Sequence, residues 1–191
     1  NYSKMNKTLD SYIQKIEAFK PNKEEENIIF DAINKLNSYL KLTRDIVFIC
    51  THNSRRSIYC EVWANILANR YVKNINFYSA GTKKTSVFGR VIKSFTRLGI
   101  ESKGNILQLG QKSILLKSKT LDEIQLDTFI SIYTCSKAEK SCPIDTRSLV
   151  NIPLLFEDPK RFDGLKNEGS EYDKTCSQIA MKINFILERI N

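Results

Sequence analysis

The sequence predicts an α/β fold, a doubly wound parallel sheet with a helical extension at its amino end. Three observations carry that expectation. Short continuous apolar runs suit strands buried on both faces, segments of helical periodicity alternate with them, and polar loops follow the carboxyl ends of the runs. On this pattern the extension is expected over 1–43 and one α/β domain over 44–191.

Leu9, Tyr12, Ile13, Ile16 and Phe19 recur at helical spacing before Pro21, and Ile29, Ala32, Ile33, Leu36 and Leu40 repeat the pattern after it. Glu24, Glu25 and Glu26 put negative charge in a first turn, where the helix dipole favours it. These two helices carry no evident chemistry and read as a packing appendage or a dimer contact. At Asp45 the character changes. Ile46-Val47-Phe48-Ile49 predicts a central strand, Cys50 to Ser57 a polar loop, and Val62, Trp63, Ile66, Leu67 and Tyr71 a helix. A second strand is predicted over 75–79, ending in Ala80-Gly81, and a helix over 87–98 stopped by Gly99. Residues 104–121 alternate too irregularly for more than short strands. A central strand over 128–134 delivers Cys135, and another over 150–155 ends at Phe156-Glu157-Asp158-Pro159. A terminal helix from about Tyr172 lines up Ile179, Ile183, Ile186 and Ile190. Ligands of such sheets bind beyond the strands' carboxyl ends, so the segments at Cys50, Cys135 and Asp158 are expected at one rim.

Composition narrows the classes. With 191 residues and 41% hydrophobic content the chain supports one sizeable core rather than two. No apolar run approaches the roughly 20 residues that cross a bilayer, and Asn1 to Lys7 lacks a signal-peptide core. A cytoplasmic protein without a membrane partner is therefore expected. The net charge of +9, from 30 basic and 21 acidic side chains, favours anionic partners. Its dispersal along the chain, without a zinc-finger, basic-zipper or aromatic-basic signature, argues against nucleic acid. The five cysteines, Cys50, Cys60, Cys135, Cys142 and Cys176, are an odd number without a secretory signal, which points to reactive or metal-binding thiols rather than a disulfide framework.

The most informative stretch is Cys50-Thr51-His52-Asn53-Ser54-Arg55-Arg56-Ser57. A loop between a buried strand and a helix can curl into a nest of backbone N–H groups at the helix's positive end, a seat for a tetrahedral anion that needs no metal or cofactor. A cysteine at its base would be stabilised as a thiolate and become a nucleophile. Arg56 offers a planar fork for two oxygens, Ser57 a hydrogen bond to the sulfur, and Asn53 an amide to brace the loop. The bland alternative is a small buried cysteine at a strand end.

Residues 47–57 resemble the signature of the low-molecular-weight protein tyrosine phosphatases and of the arsenate reductases built on that fold: cysteine, any residue, glycine, asparagine, any residue, cysteine, arginine, serine. Tyr78-Ser79-Ala80-Gly81-Thr82 also looks like that family's second-strand segment, and the likeness extends over about residues 45–190. Two positions depart from it. His52 stands where the family has glycine, and Arg55 where it usually has a second cysteine. His52, the only histidine, reads as a loop or substrate-contact residue, with general base as the alternative. Arg55 reads as pointing to solvent or adding positive potential at the mouth, with direct anion contact as the alternative.

The resemblance implies roles elsewhere. Asp158, before Pro159, would be the general acid for a leaving oxygen, with Glu157 able to substitute or tune it. Cys135 and Cys142 look like the redox pair of thioredoxin-coupled arsenate reductases. Under that reading Cys50 attacks arsenate, Cys135 attacks the Cys50 sulfur and releases arsenite, and Cys142 takes over the disulfide for thioredoxin to reduce. The hydrophilic segment 136–141 would supply mobility. Buried spectators or zinc ligands are the other readings of that pair; Cys60 and Cys176 read as core or neutral helix residues. Asn53, Glu61 and Ser79 match a potassium site of some arsenate reductases. The expected function is a thiol-dependent arsenate reductase, the alternative a phosphatase working through a Cys50 phospho-intermediate, and the third reading a non-catalytic phosphate-binding module.

Overall fold

The computed structural model describes residues 7–71, 73–110, 112–141 and 145–190. Four parallel strands form the central sheet in the order β2-β1-β6-β7: β1 Asp45–Cys50, β2 Asn76–Gly81, β6 Phe129–Tyr133 and β7 Ser148–Pro153. Helices α3 Arg56–Arg70, α4 Gly89–Arg97, α5 Ser136–Ser141 and α6 Glu168–Arg189 flank it. The α/β expectation is met, with one local difference. Residues 101–115 fold into a separate antiparallel meander, β3 Glu101–Lys103, β4 Ile106–Leu109 and β5 Lys112–Leu115, off the parallel sheet. Strands of three or four residues are too short to declare a period.

Helices α1 Lys7–Glu17 and α2 Lys23–Tyr39 form where the apolar spacing predicts them. Asn22 starts α2 with a capping box: its Oδ1 accepts from the N–H groups of Glu24 and Glu25, both at 3.0 Å, while Glu25 accepts from the Asn22 N–H at 3.3 Å. Leu9, Ile13 and Ile16 of α1 and Ile29, Ile33 and Leu36 of α2 share one hydrophobic cluster with Trp63 of α3 and Ile179 and Ile183 of α6. Tyr12 stacks on Trp63 with ring centroids 5.6 Å apart. Phe19 lies just beyond α1, yet packs edge-on to Phe185. Both helices are thus built into the core of the molecule.

Gly99, at φ 84, follows the last turn of α4 in the left-handed conformation that ends helices at low cost. The terminal helix begins at Glu168, earlier than the apolar face suggests, because its first turn is secured by charge: Glu168 pairs with Arg90 at 2.5 Å. Segment 136–141, expected to be mobile, is a short helix whose first turn begins at Cys135.

β1 and β6 are neighbours, with Ile49 opposite Tyr133, but their chains leave in opposite directions, toward β2 and toward β7. That reversal opens a crevice beyond their carboxyl ends, where the topology of such sheets locates ligands.

Candidate active site

A cavity of about 300 Å³ occupies this crevice. It is lined by Cys50, Thr51, His52, Ser54, Arg55 and Arg56 from one side and by Cys135, Ser136, Lys137, Asp158 and Lys160 from the other. The Cys50 sulfur lies 3.2 Å from the Asn53 N–H and 3.0 Å from Ser57 Oγ.

The direction of the bonds around that sulfur can be derived. The Lys119 backbone N–H can only donate, and it meets Asn53 Oδ1 at 2.7 Å, which fixes Asn53 Nδ2 as the donor toward Ser57 Oγ at 2.9 Å and Ser79 Oγ at 2.8 Å. Ser57 Oγ, accepting from Asn53, keeps its own hydrogen for the Cys50 sulfur. Ser79 in turn donates to Glu61 Oε2 in a short hydrogen bond. Every member of the chain therefore presents a proton toward the sulfur or the Glu61 carboxylate.

The loop's shape follows from where its carbonyls go. Cys50 O accepts from the Thr82 N–H at 3.3 Å, Thr51 O from the Lys83 N–H at 2.9 Å, His52 O from the Thr85 and Ser118 hydroxyls at 2.8 and 3.1 Å, and Ser54 O from the Phe88 N–H at 3.1 Å. With these carbonyls satisfied on the outside, the inner face is left to N–H groups and the positive end of α3. Such close packing against residues 81–88 requires glycine at 81: a Cβ there would stand 2.8 Å from Lys83 O and 2.9 Å from Asn53 N. Among the described non-glycine residues only Asn53 has positive φ, at 45°. The strained position is thus Asn53, not His52, and asparagine tolerates it better than most residues.

His52 is exposed at the mouth. Partial desolvation and the charges of Lys160, Lys83, Lys137 and Arg55 hold its imidazole below the usual histidine range, so the neutral ring dominates at neutral pH. Arg56 donates to Phe156 O at 3.0 Å and to Asp158 Oδ2 at 2.6 Å, bringing the predicted anion grip and the predicted acid into contact. Glu157 is exposed and pairs with Arg161 at 3.7 Å. Arg55 does not point to solvent. Its guanidinium is turned inward onto Asp163 and Tyr172, partners far downstream that no local pattern reveals.

Cys135 is buried on the far wall, its sulfur 3.6 Å from Thr51 Oγ1 and 3.4 Å from the Ala138 N–H. Cys142 lies outside the described residues. Cys60 and Cys176 are core residues: burial pushes both thiols up, Cys176 to about 12, and Trp63 Nε1 donates to the Cys176 sulfur at 3.2 Å. Asn53, Ser79 and Glu61 do come together, and the cation beside them is the Lys119 ammonium, 3.4 Å from Glu61 Oε1. Burial pushes the Glu61 carboxyl up against the opposing pull of Lys119 and Ser79. Among the described residues no cluster of three or more His, Cys, Asp or Glu side chains could hold a metal ion, and no helix is long and apolar enough to cross a membrane. Sequence reasoning missed Ser118 and Lys119, which brace the loop from a segment with no readable period, and the rim residues Lys137 and Lys160.

The family model described as low molecular weight phosphotyrosine protein phosphatase matches residues 45–121. Arsenate reductase 1 of Staphylococcus epidermidis is 28% identical over 148 residues, covering 77% of this chain and 98% of the relative. Arsenate reductase 2 of the same organism is 31% identical over 117 residues, covering 61% and 79%. Among solved structures, an arsenate reductase from Archaeoglobus fulgidus superposes with a TM-score of 0.51 at 24% identity, covering 75% of this chain and 98% of its own. An arsenate reductase in its oxidized state gives 0.55 at 20% identity, covering 78% and 100%.

Proposed function

Because this chain belongs to the low-molecular-weight phosphotyrosine protein phosphatase family, close to its arsenate reductases, we propose that it is a thiol-dependent arsenate reductase with Cys50 as nucleophile and Cys135 as the first resolving thiol. One observation carries the choice between the two activities of this family. The sulfur of Cys135 borders the same cavity as Cys50, across Thr51, where a hydrolase would need only the loop and an acid.

Arsenate enters the nest of N–H groups, with the Arg56 fork on two of its oxygens. The Cys50 thiolate attacks arsenic, and one oxygen leaves as water after protonation, giving a sulfur–arsenic(V) adduct. The Cys135 thiolate then attacks the Cys50 sulfur. The sulfur–arsenic bond breaks with its electron pair going to arsenic, which departs as arsenite, and two thiols have become the Cys50–Cys135 disulfide. Cys142 next attacks Cys135, freeing Cys50 as a thiol and leaving Cys135–Cys142 for a dithiol reductant of the thioredoxin type. Helix α5, of six residues, has little stability of its own, so the cost of opening it is small.

Replacing Cys135 by Ser is expected to abolish thioredoxin-driven arsenate turnover while aryl phosphate hydrolysis persists; undiminished arsenate turnover would reject the assignment. The placement of Asp158 beside Arg56, at 2.6 Å, favours a second activity, hydrolysis of phosphoesters through a Cys50 phospho-intermediate. Asp158→Asn is then expected to slow hydrolysis most for poor leaving groups.

A further inference from the structure

Two consecutive arginines of the oxyanion loop grip opposite ends of one turn. Asp158 precedes the 3-10 turn Pro159–Phe162 and Asp163 follows it. Arg56 holds Asp158 at 2.6 Å, and Arg55 Nη2 holds Asp163 Oδ2 at 2.6 Å. Arg55 has two further partners. Its Nε donates to the Tyr172 hydroxyl at 2.6 Å, and that hydroxyl donates to Asp163 Oδ1 at 2.6 Å, closing a three-membered ring of hydrogen bonds. The guanidinium carbon lies 4.2 Å from the centroid of the Phe88 ring, which itself packs 5.4 Å from the Tyr172 ring. The side chain is only 13% exposed. Burial and the Asp163 acceptor raise the Tyr172 pKa, so its hydroxyl remains a neutral donor.

Arg56 turns to Asp158, which lines the cavity, whereas Arg55 turns its Nε and Nη2 to Tyr172 and Asp163, which do not. Withdrawing these two donors would strip the partly buried Asp163 carboxylate of its counter-charge. The geometry suits another task. The oxyanion loop supplies Arg55, the turn behind Asp158 supplies Asp163, and α6 supplies Tyr172, so the bonds join three segments.

We propose that Arg55, Asp163 and Tyr172 form a clamp that fixes the Asp158-bearing turn over the oxyanion loop, making Arg55 a positioning residue for the acid rather than a ligand of the anion. The catalytic consequence rests on the reading of Asp158 as acid; the clamp itself is measurable without turnover. Tyr172→Phe keeps the buried ring and removes only the shared hydroxyl. Arg55→Lys keeps the charge and loses the fork, and Arg55→Met loses both.

Amide hydrogen exchange over residues 160–165 and titration with inorganic phosphate are compared in the four proteins. In all three variants exchange of these amides is expected to rise about tenfold or more while core strands stay protected. Phosphate affinity is expected to stay within about twofold in Tyr172→Phe and Arg55→Lys, which keep a positive charge opposite Asp163. With aryl phosphates, kcat is expected to fall for poor leaving groups with KM unchanged, a split that a merely loosened fold would not produce. Unchanged exchange in Tyr172→Phe and both Arg55 variants overturns the clamp. A tenfold loss of phosphate affinity in Arg55→Lys, which keeps the charge and loses only the fork, overturns it as well, and makes Arg55 an anion ligand. If exchange rises but Asp158→Asn leaves the leaving-group dependence intact, the clamp stands and the acid reading alone fails.

Discussion

Asn53→Ala is the sharpest test of how the loop is held. The side chain is fully buried and makes three hydrogen bonds, to Ser57 Oγ at 2.9 Å, to Ser79 Oγ at 2.8 Å and from the Lys119 N–H at 2.7 Å. Losing the two side-chain bonds costs about 1 kcal/mol each, and stranding the partly buried Lys119 N–H about 1–3 kcal/mol. Alanine at φ 45 adds about 1 kcal/mol of backbone strain. Because these effects share atoms they do not add fully, and a net loss of about 3–5 kcal/mol is expected. Asn53→Gly loses the same bonds without the strain, so it should be the more stable variant by about 1 kcal/mol. Urea denaturation of the wild type and both variants measures the two differences. A loss below about 1 kcal/mol for Asn53→Ala, or Asn53→Gly less stable than Asn53→Ala, would refute the reasoning.

Gly81→Ala is expected to cost about 1–3 kcal/mol and to weaken inorganic phosphate binding, because the new Cβ would stand 2.9 Å from the N–H nitrogen that faces the Cys50 sulfur. Gly89→Ala, where nothing lies within 4 Å of a built Cβ, is the control and should bind phosphate normally; equal effects at the two sites would exclude the packing argument. Asp145 is held below the usual carboxylate range by its hydrogen bonds to Arg147, whose NH groups also reach Ile124 O and Leu121 O. A depressed carboxyl stabilises the fold above its unfolded pKa near 4, and the contribution disappears as pH falls through the lowered value. Asp145→Asn should therefore be about 1–2 kcal/mol less stable than wild type at pH 7 and converge with it in acid, as read from urea midpoints; a gap that does not shrink with falling pH contradicts the assignment.

The strand-loop-helix around Cys50 was legible because it is local. A continuous apolar run, a polar octet and a helical period follow one another within 26 residues or so of chain, and each states its own structure. Cys135 and Asp158 were legible as strand-end residues for the same reason. Short strands were expected over 104–121 and β4 and β5 lie there, but their antiparallel pairing off the main sheet was not legible, since strands of three or four residues are too short for alternation to register. The positive potential that Arg55 adds at the mouth was legible, but not its turn away from solvent, because its partners, Asp163 and Tyr172, lie 108 and 117 positions away. Sequence spacing carries no information on such pairings.

By itself, the sequence determined the class of fold and the family to which the Cys50–Ser57 loop belongs, because apolar periodicity and a short signature are properties of neighbouring residues. Only the tertiary structure decided that Asn53 carries the loop's strain, that Lys119 pairs with Glu61, and that Arg55 faces the turn behind Asp158. These depend on which segments the sheet order brings side by side, and burial then makes each such meeting of polar groups binding on the chain, since an unpartnered donor or charge in the interior costs more than the fold can spare.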